Sequence, residues 1–308
     1  MIGERELRVI SDLGSPKYRQ ELAEDLDYRE DTVSRALSKL EELDLIRKER
    51  TGKGTLVEAS DARCVETFQA LAGSHPHVDF PDLLTTSMLN VLYYLSNDEP
   101  WTATELAERT GHSRATIYRN LRTLTNRAMA MKDRSQYRLN ETFDGLHDFA
   151  YELRHHIHRI RIKRDVGSGT LVWESHREFL VRTESEIECS EYQRTGLDAF
   201  AEYGLQFFTT SEHYYFYSED RDSLAPEDLV CHLLLIENDS RHRKYVLLLV
   251  VKTGLSLADL EDAAKYYDIE DVIIPLLEFL CTEGEVSSGN TPRWEEFENL
   301  ASEYEVEL

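Results

Sequence analysis

Lysine is nearly missing from this chain. It occurs nine times in 308 residues, against 26 arginines and 59 acidic residues. Cysteine is almost as scarce. Cys64, Cys189, Cys231 and Cys281 are scattered and form no CxxC pair, which excludes an ordinary zinc module and a disulfide framework and fits a reducing compartment. No apolar run approaches the ~20 residues of a membrane span. The longest, Tyr245 to Val251, is far shorter. Met1 to Arg8 lacks the apolar core of a signal peptide, so a cytoplasmic protein with no membrane partner is expected. No Walker loop, GxSxG elbow or HExxH occurs, which removes the commonest signatures of nucleotide-hydrolysing, acyl-transferring and zinc-dependent enzymes.

What is present is a sufficient core and a divided charge. Apolar residues make up 41 % and aromatics 10 %, enough for packed domains. The length suggests two or three of them. The net charge is −24, but residues 1–164 hold 25 Lys/Arg against 27 Asp/Glu, whereas residues 165–308 hold 10 against 32. The first part is almost neutral and the second strongly acidic, so a nucleic-acid partner is compatible only with the first. High acid with little lysine resembles the proteins of salt-in halophiles, especially haloarchaea, where salt screens self-repulsion.

The first part repeats itself with a period of 84 residues. Glu21-Leu-Ala-Glu24 matches Glu105-Leu-Ala-Glu108, and Thr32, Arg35, Leu37 and Leu40 match Thr116, Arg119, Leu121 and Leu124. Eight identities in twenty ungapped positions read as two copies of one module. In copy one, helical spacing predicts helices over Arg5–Leu13, Lys17–Leu26 and Thr32–Leu43, the last capped by Asp31. Ile46–Arg50 and Thr55–Glu58 read as strands around Thr51-Gly-Lys-Gly54. In copy two the first helix is Leu83–Leu95. Thr102 and Glu105 form a capping box for the second, and Gly111 supplies a turn needing positive φ. Ser113 caps the third, Arg114–Leu124, and Ala128–Lys132 with Gln136–Leu139 form a hairpin.

Three helices followed by a hairpin, with Glu105-Leu-Ala, Gly111, Ser113, Thr116-Ile-Tyr118, Leu121 and Leu124 in register, resemble the winged helix-turn-helix families, in particular ArsR- and MarR-like regulators. Copy one departs by placing Asp27 where copy two has Gly111. The resemblance implies double-stranded DNA as partner, with the third helix of each copy facing the major groove. The outward residues are then Arg29, Thr32, Ser34, Arg35 and Lys39 in copy one, with Ser38 beside them, and Ser113, Arg114, Thr116, Tyr118, Arg119 and Arg122 in copy two. Arg pairs with guanine, and Ser and Thr suit bases or phosphates. Hairpin residues Lys48, Arg50, Lys53, Lys132, Arg134 and Arg138 would hold flanking phosphates. Copy two has no acid from Ser113 to Asn126, which makes it the better DNA reader.

Phe143 to Arg164 reads as one long helix with a basic end facing DNA, serving as linker or dimer helix. Its His155, His156 and His158 point to different faces, and no Cys or acidic ligand is spaced to close a metal site. After Val166-Gly-Ser-Gly-Thr170, strands are expected at Leu171–Ser175, Phe179–Thr183 and a hairpin of Leu205–Thr209 with Tyr214–Tyr217. A helix is expected over Thr195–Tyr203, then others over 227–236, 241–251, 257–267, 269–281 and 294–304. Gly196 to Gly204, Ala225-Pro-Glu-Asp-Leu229 and Asp259-Leu-Glu-Asp262 resemble the C-terminal domain of AbiE-type antitoxins, which implies an autoregulator countering a nucleotidyltransferase toxin. As an enzyme the half would need a Gly-Ser followed by paired carboxylates. Gly167-Ser168 has none behind it, and Asp220-Arg-Asp222 has no Gly-Ser before it.

The sequence therefore predicts a mixed, mainly α protein. Two winged helix-turn-helix domains (1–74 and 81–140) precede a basic helix (141–165) and an acidic α+β domain (166–308). It reads as a homodimeric DNA-binding transcriptional regulator without catalytic residues, metal or cofactor. Its acidic domain takes a small ligand or a protein. An antitoxin and a nucleic-acid-modifying enzyme are the alternatives.

Overall fold

A computed structural model describes residues 2–208, 211–286 and 291–308. Contacts divide the chain into Met1–Arg161 and Ile162–Leu308. The chain is mixed and mainly helical, with three small antiparallel sheets.

The first unit opens with α1 (Glu4–Asp12), β1 (Lys17–Tyr18), α2 (Arg19–Asp25), α3 (Glu30–Glu42), β2 (Ile46–Thr51) and β3 (Gly54–Ala59). After α4 (Arg63–Ser74) and α5 (Phe80–Leu83) come α6 (Thr86–Tyr94), β4 (Trp101–Thr102), α7 (Ala103–Thr110), α8 (Arg114–Asn126), β5 (Ala130–Asp133) and β6 (Gln136–Leu139). The 84-residue offset holds at the level of elements. β1 and β4, α3 and α8, and the starts of β2 and β5 are each 84 positions apart, and the sheets run β1-β3-β2 and β4-β6-β5. Backbone conformation repeats too. Asp27 (φ 51°) matches Gly111 (φ 67°), and Asp44 (φ 51°) matches Ala128 (φ 56°). One apolar core joins both runs, from Ile2, Leu7 and Leu37 through Phe68 and Phe80 to Leu121, Phe149 and Leu153.

Several boundaries differ from the sequence reading. Lys17 and Tyr18 do not begin a helix; they pair with Val57 and Leu56 as a third strand. The Tyr18 N–H donates to the Glu21 carboxylate at 2.7 Å, which fixes the start of α2 one residue later. Asp31 does not cap α3. The extended backbone of Arg29 does, and Asp31 sits in the first turn. Leu83–Leu95 is not one helix, because the Thr85 hydroxyl accepts the Met88 N–H and begins α6 afresh. Helix α4 has no counterpart in the sequence reading. The long helix, α9 (Gly145–Asp165), begins after a 3₁₀ turn that takes Phe143.

The second unit is a four-stranded sheet packed with helices. Its strands are β7 (Thr170–Glu174), β8 (Glu178–Thr183), β9 (Tyr192–Thr195) and β10 (His213–Ser218), ordered β7-β8-β10-β9. Gly196–Tyr203 is a 3₁₀ helix, shorter in reach than the α-helix expected from Thr195. Leu205 is not a strand. It is buried beneath the 3₁₀ helix, and β10 pairs instead with β8 and β9 (Phe216 opposite Leu180 and Gln193). Thr209, the end of the expected strand, lies outside the described residues. Helices α10 (Pro226–Ile236), α11 (Ser240–Thr253), α12 (Leu257–Tyr266), α13 (Glu270–Cys281) and α14 (Trp294–Glu303) follow the apolar periodicity within one or two residues.

Candidate nucleic-acid interface

The geometry of α8 follows from its sequence. Ile117, Leu121 and Leu124 recur at helical spacing and are fully buried. Asn120 shares that face, and its amide donates to the Ser87 hydroxyl at 3.2 Å, tying α8 to α6. Ser113 caps the helix by accepting the Thr116 N–H. Thr102 and Glu105 exchange hydrogen bonds at the start of α7. Gly111 adopts the left-handed conformation that ends α7 and turns the chain into α8.

With that face inward, Arg114, Tyr118, Arg119 and Arg122 are exposed, Tyr118 to 53 % although it is aromatic. Thr116 is half-buried, its hydroxyl 3.1 Å from that of Ser113. The first turn carries no acid. The partly positive end of the helix is thus unopposed, a favourable place for a phosphate. At the adjoining hairpin, Lys132, Arg134 and Arg138 are exposed. Arg134 takes φ 53° at the tip, and the Lys132 ammonium rests 5.2 Å from the Tyr137 ring centre. The sequence names Ser113, Arg114, Thr116, Tyr118, Arg119, Arg122, Lys132, Arg134 and Arg138 for this surface, but not Tyr137.

The corresponding surface of α3 is chemically different. Val33, Ala36, Leu37 and Leu40 face inward, and Arg29, Arg35, Arg50 and Lys53 are exposed as expected. Thr32 and Ser34 are half-buried. Glu30 and Asp31 occupy the first turn, and several cations face carboxylates. Arg35 lies 3.6 Å from Asp31, Lys39 lies 3.4 Å from Glu6, and Lys48 lies 2.8 Å from Glu41. Arg19, which sequence reasoning passed over, bridges to Glu30 at 3.0 Å and to the Ser34 hydroxyl at 3.5 Å. Exposed pairs of this kind are individually weak. Their carboxylates nonetheless oppose a polyanion.

The basic residues of α9 are divided, with Arg159, Lys163 and Arg164 exposed as expected and others turned inward. Arg154 and His158 are buried, and His156 Nε2 lies 2.7 Å from the Leu43 carbonyl just beyond α3. Helix α9 thus grips the C-terminal end of α3 instead of offering all its cations outward.

The second unit hides a polar network. Arg221 stands between the two aspartates that the sequence reading weighed as catalytic. Asp220 pairs with Arg177, and the guanidinium between turns inward. It donates to both oxygens of Glu178 (2.9 and 3.0 Å), to Asp228 (2.8 Å) and to the Tyr267 hydroxyl (3.0 Å). Tyr266 also donates to Glu178. His232, fully buried, contacts the Tyr267 hydroxyl and Thr195 Oγ1, each at 2.9 Å. Burial holds its pKa down to about 3, outweighing Asp228, which acts the other way. Burial opposes charge on Arg221 and Asp228 too, but Tyr267, Glu178 and Asp228 together hold Arg221 ionised, and Arg221 holds Asp228 ionised. The Arg221 signal was present only as a basic residue in an acidic turn.

Comparison with known families places a helix-turn-helix domain, HTH_11, over residues 88–130. Those residues run from α6 through α7, the Gly111 turn and α8 to the first residue of β5. A second family model, HVO_2833_C, described as a C-terminal domain, matches residues 189–306. Among curated proteins, none matches the chain. The helix-turn-helix match together with the C-terminal family domain supports a DNA-binding regulator. Among the described residues, no helix is long and apolar enough to cross a membrane.

Proposed function

We propose that this chain is a sequence-specific DNA-binding transcriptional regulator in which α8 enters the major groove and the β5–β6 hairpin holds the flanking backbone. One observation carries the reading. Inside the matched helix-turn-helix domain, α8 presents Arg114, Tyr118, Arg119 and Arg122 to solvent with no acid in its first turn. Arginines at such positions make paired hydrogen bonds to guanine.

The proposal extends to the first run as a second winged module, supported by the matching element order, sheet order and 84-residue offset. With Glu30 and Asp31 in its first turn, α3 contributes less to affinity than α8. The protein acts as a homodimer without catalytic activity, and the acidic unit senses a ligand or a partner. The low lysine content fits work in high salt, where phosphate attraction fades and base contacts with several linked modules must supply affinity.

Chromatin immunoprecipitation from the native host, followed by fluorescence anisotropy on the enriched fragments, tests this. Arg119→Ala and Arg122→Ala should each cost about 1–3 kcal/mol and relax base preference. Lys53→Ala should weaken all sequences alike and flatten the salt dependence by at most about one unit of slope. Absence of enriched sites, or wild-type affinity in an Arg119→Ala/Arg122→Ala double variant, removes the reading.

A further inference from the structure

The second unit contains an open cleft of about 150 Å³ between the 3₁₀ helix Gly196–Tyr203, β10, α10 and α11. Cavities of about that size hold a molecule such as benzene, and the open side leaves room for a short substituent. Its apolar wall is Leu233, Ile236 and the ring of Tyr214. Gly196 keeps the floor low. Its φ is 72°, and an added Cβ would stand 3.3 Å from Ile236 Cδ1 and 3.5 Å from the Tyr214 ring. Tyr215, Phe216 and Tyr217 of the same strand are core, so Tyr214 alone of that aromatic run faces the cleft.

The charged lining is predominantly acidic. Asp198, Glu212 and Glu237 line it with Arg241 and His242, whose Nε2 lies 3.6 Å from the Glu237 carboxylate. The Arg241 guanidinium donates to the Tyr245 hydroxyl at 2.9 Å, lies 5.4 Å from that ring's centre and also feels the charges of Asp239 and Glu237. Glu212 is partly answered by Arg182 at 3.5 Å. Asp198 is not. Its side chain is 19 % exposed, and the contact at 3.5 Å is His213 Nδ1, which carries charge only when protonated. Arg194 feels Asp198 at longer range but is hydrogen-bonded to Glu186 and Tyr215. A half-buried carboxylate gains from a cation held beside it. Glu237 at the rim is 60 % exposed. Glu237, Asp239 and His242 also come within 4.8 Å of one another, but Asp239 and His242 form the cap of α11, and this cluster alone assigns no metal.

We propose that the cleft binds a small organic cation with an apolar body, its ammonium group held by Asp198 and Glu237 and its body lying over Tyr214, Leu233 and Ile236. Aromatic and carboxylate groups converging on one concave wall are the chemistry that recognises such cations. The acidic surroundings concentrate cations at the mouth. This deepens the reading of the second unit as a sensing half, and it does not depend on DNA binding by α8.

Calorimetric titration of the full chain with three probes of one shape tests it: 2-(1-naphthyl)ethylamine, the neutral 2-(1-naphthyl)ethanol and the anionic 1-naphthylacetate. The amine should bind at least about tenfold more tightly than either of the others, a difference of roughly 1.4 kcal/mol. Asp198→Asn and Glu237→Gln should each weaken the amine about fivefold or more. Glu237 is exposed, so its variant keeps the test informative if Asp198→Asn does not fold. Equal affinity for the three probes, a preference for the anion, or unchanged amine binding in Glu237→Gln overturns the proposal. So does a chain that binds Zn²⁺ through His242 while ignoring the amine. DNA affinity is measured separately, so failure here leaves the reading of α8 standing.

Discussion

Arg221 is the residue whose place in the chain least resembles its place in the molecule. In sequence it sits in an acidic turn between Asp220 and Asp222; in space it joins β8, α10 and the residue that ends α12 through Glu178, Asp228 and Tyr267. Removing one member of a buried, hydrogen-bonded charge cluster leaves its partners uncompensated, which typically costs about 3–5 kcal/mol. Arg221→Met should therefore destabilise the second unit by that order in urea denaturation. A change below about 1 kcal/mol would show that water reaches the network freely. His232 beside it is pH-sensitive in a defined direction. Its pKa falls from the ordinary 6.5 to about 3 on folding, because burial penalises the imidazolium. The unfolded chain then binds more protons than the folded chain between those values, so stability is full above about pH 6.5 and declines as pH falls towards 3. The lowered pKa of Asp228 acts in the same sense at more acid pH. Urea midpoints measured from pH 7.5 to 4.5 should fall in the wild type and fall less in His232→Gln. Parallel curves would assign the loss to other groups.

At the scale of elements, the two runs of the first unit share a backbone and differ in surface chemistry. Each needs a left-handed residue between its second and third helices. Gly111 meets the need freely, whereas Asp27 meets it at some cost, since asparagine and aspartate are the side chains that tolerate this region best. Gly111→Ala should destabilise by about 1–2 kcal/mol, and Asp27→Gly should be neutral or stabilising; thermal unfolding of both variants checks this. Ser113→Ala should cost about 1 kcal/mol through loss of the cap on α8. The Glu30/Asp31 pair offers the complementary experiment. If α3 approaches a phosphate backbone, Glu30→Gln/Asp31→Asn strengthens DNA binding severalfold at low salt; if it stays clear of DNA, affinity is unchanged. Legibility varied in the same way. The Thr102 and Ser113 caps and the Gly111 turn could be read because one side chain decides each of them locally, whereas Asp31 was displaced as cap of α3 by Arg29. The strand at Lys17–Tyr18 could not, because two residues become a strand only when Leu56 and Val57 supply the partner.

For the whole molecule, the division of charge matters most. Residues 165–308 carry 32 acids against 10 bases, so the second half repels itself, and added salt relieves this. Salt should raise the unfolding temperature of the chain while lowering its DNA affinity, opposite responses measurable on one sample by calorimetry and anisotropy. A melting temperature indifferent to salt between 0.1 and about 2 M would mean that the acidic surface is spaced widely enough not to matter. The single apolar core running through both runs of the first unit has a further consequence. Core damage in one run, such as Leu37→Ala, should lower cooperative unfolding of the other, at a cost of about 2–5 kcal/mol.

The sequence by itself determined the helices with strong apolar periodicity, the Thr102 and Ser113 caps, the repeat, the arginines of α8 and the charge division, because each is a property of residues near one another in the chain. Tertiary structure alone decided that β10 lies between β8 and β9, that Arg154, His158 and Arg221 turn inward, and that Asp198 and Glu237 face one cleft. Those outcomes depend on which distant surfaces meet and exclude water. A polar side chain is spared desolvation or finds its partner only there, and no local pattern encodes the meeting.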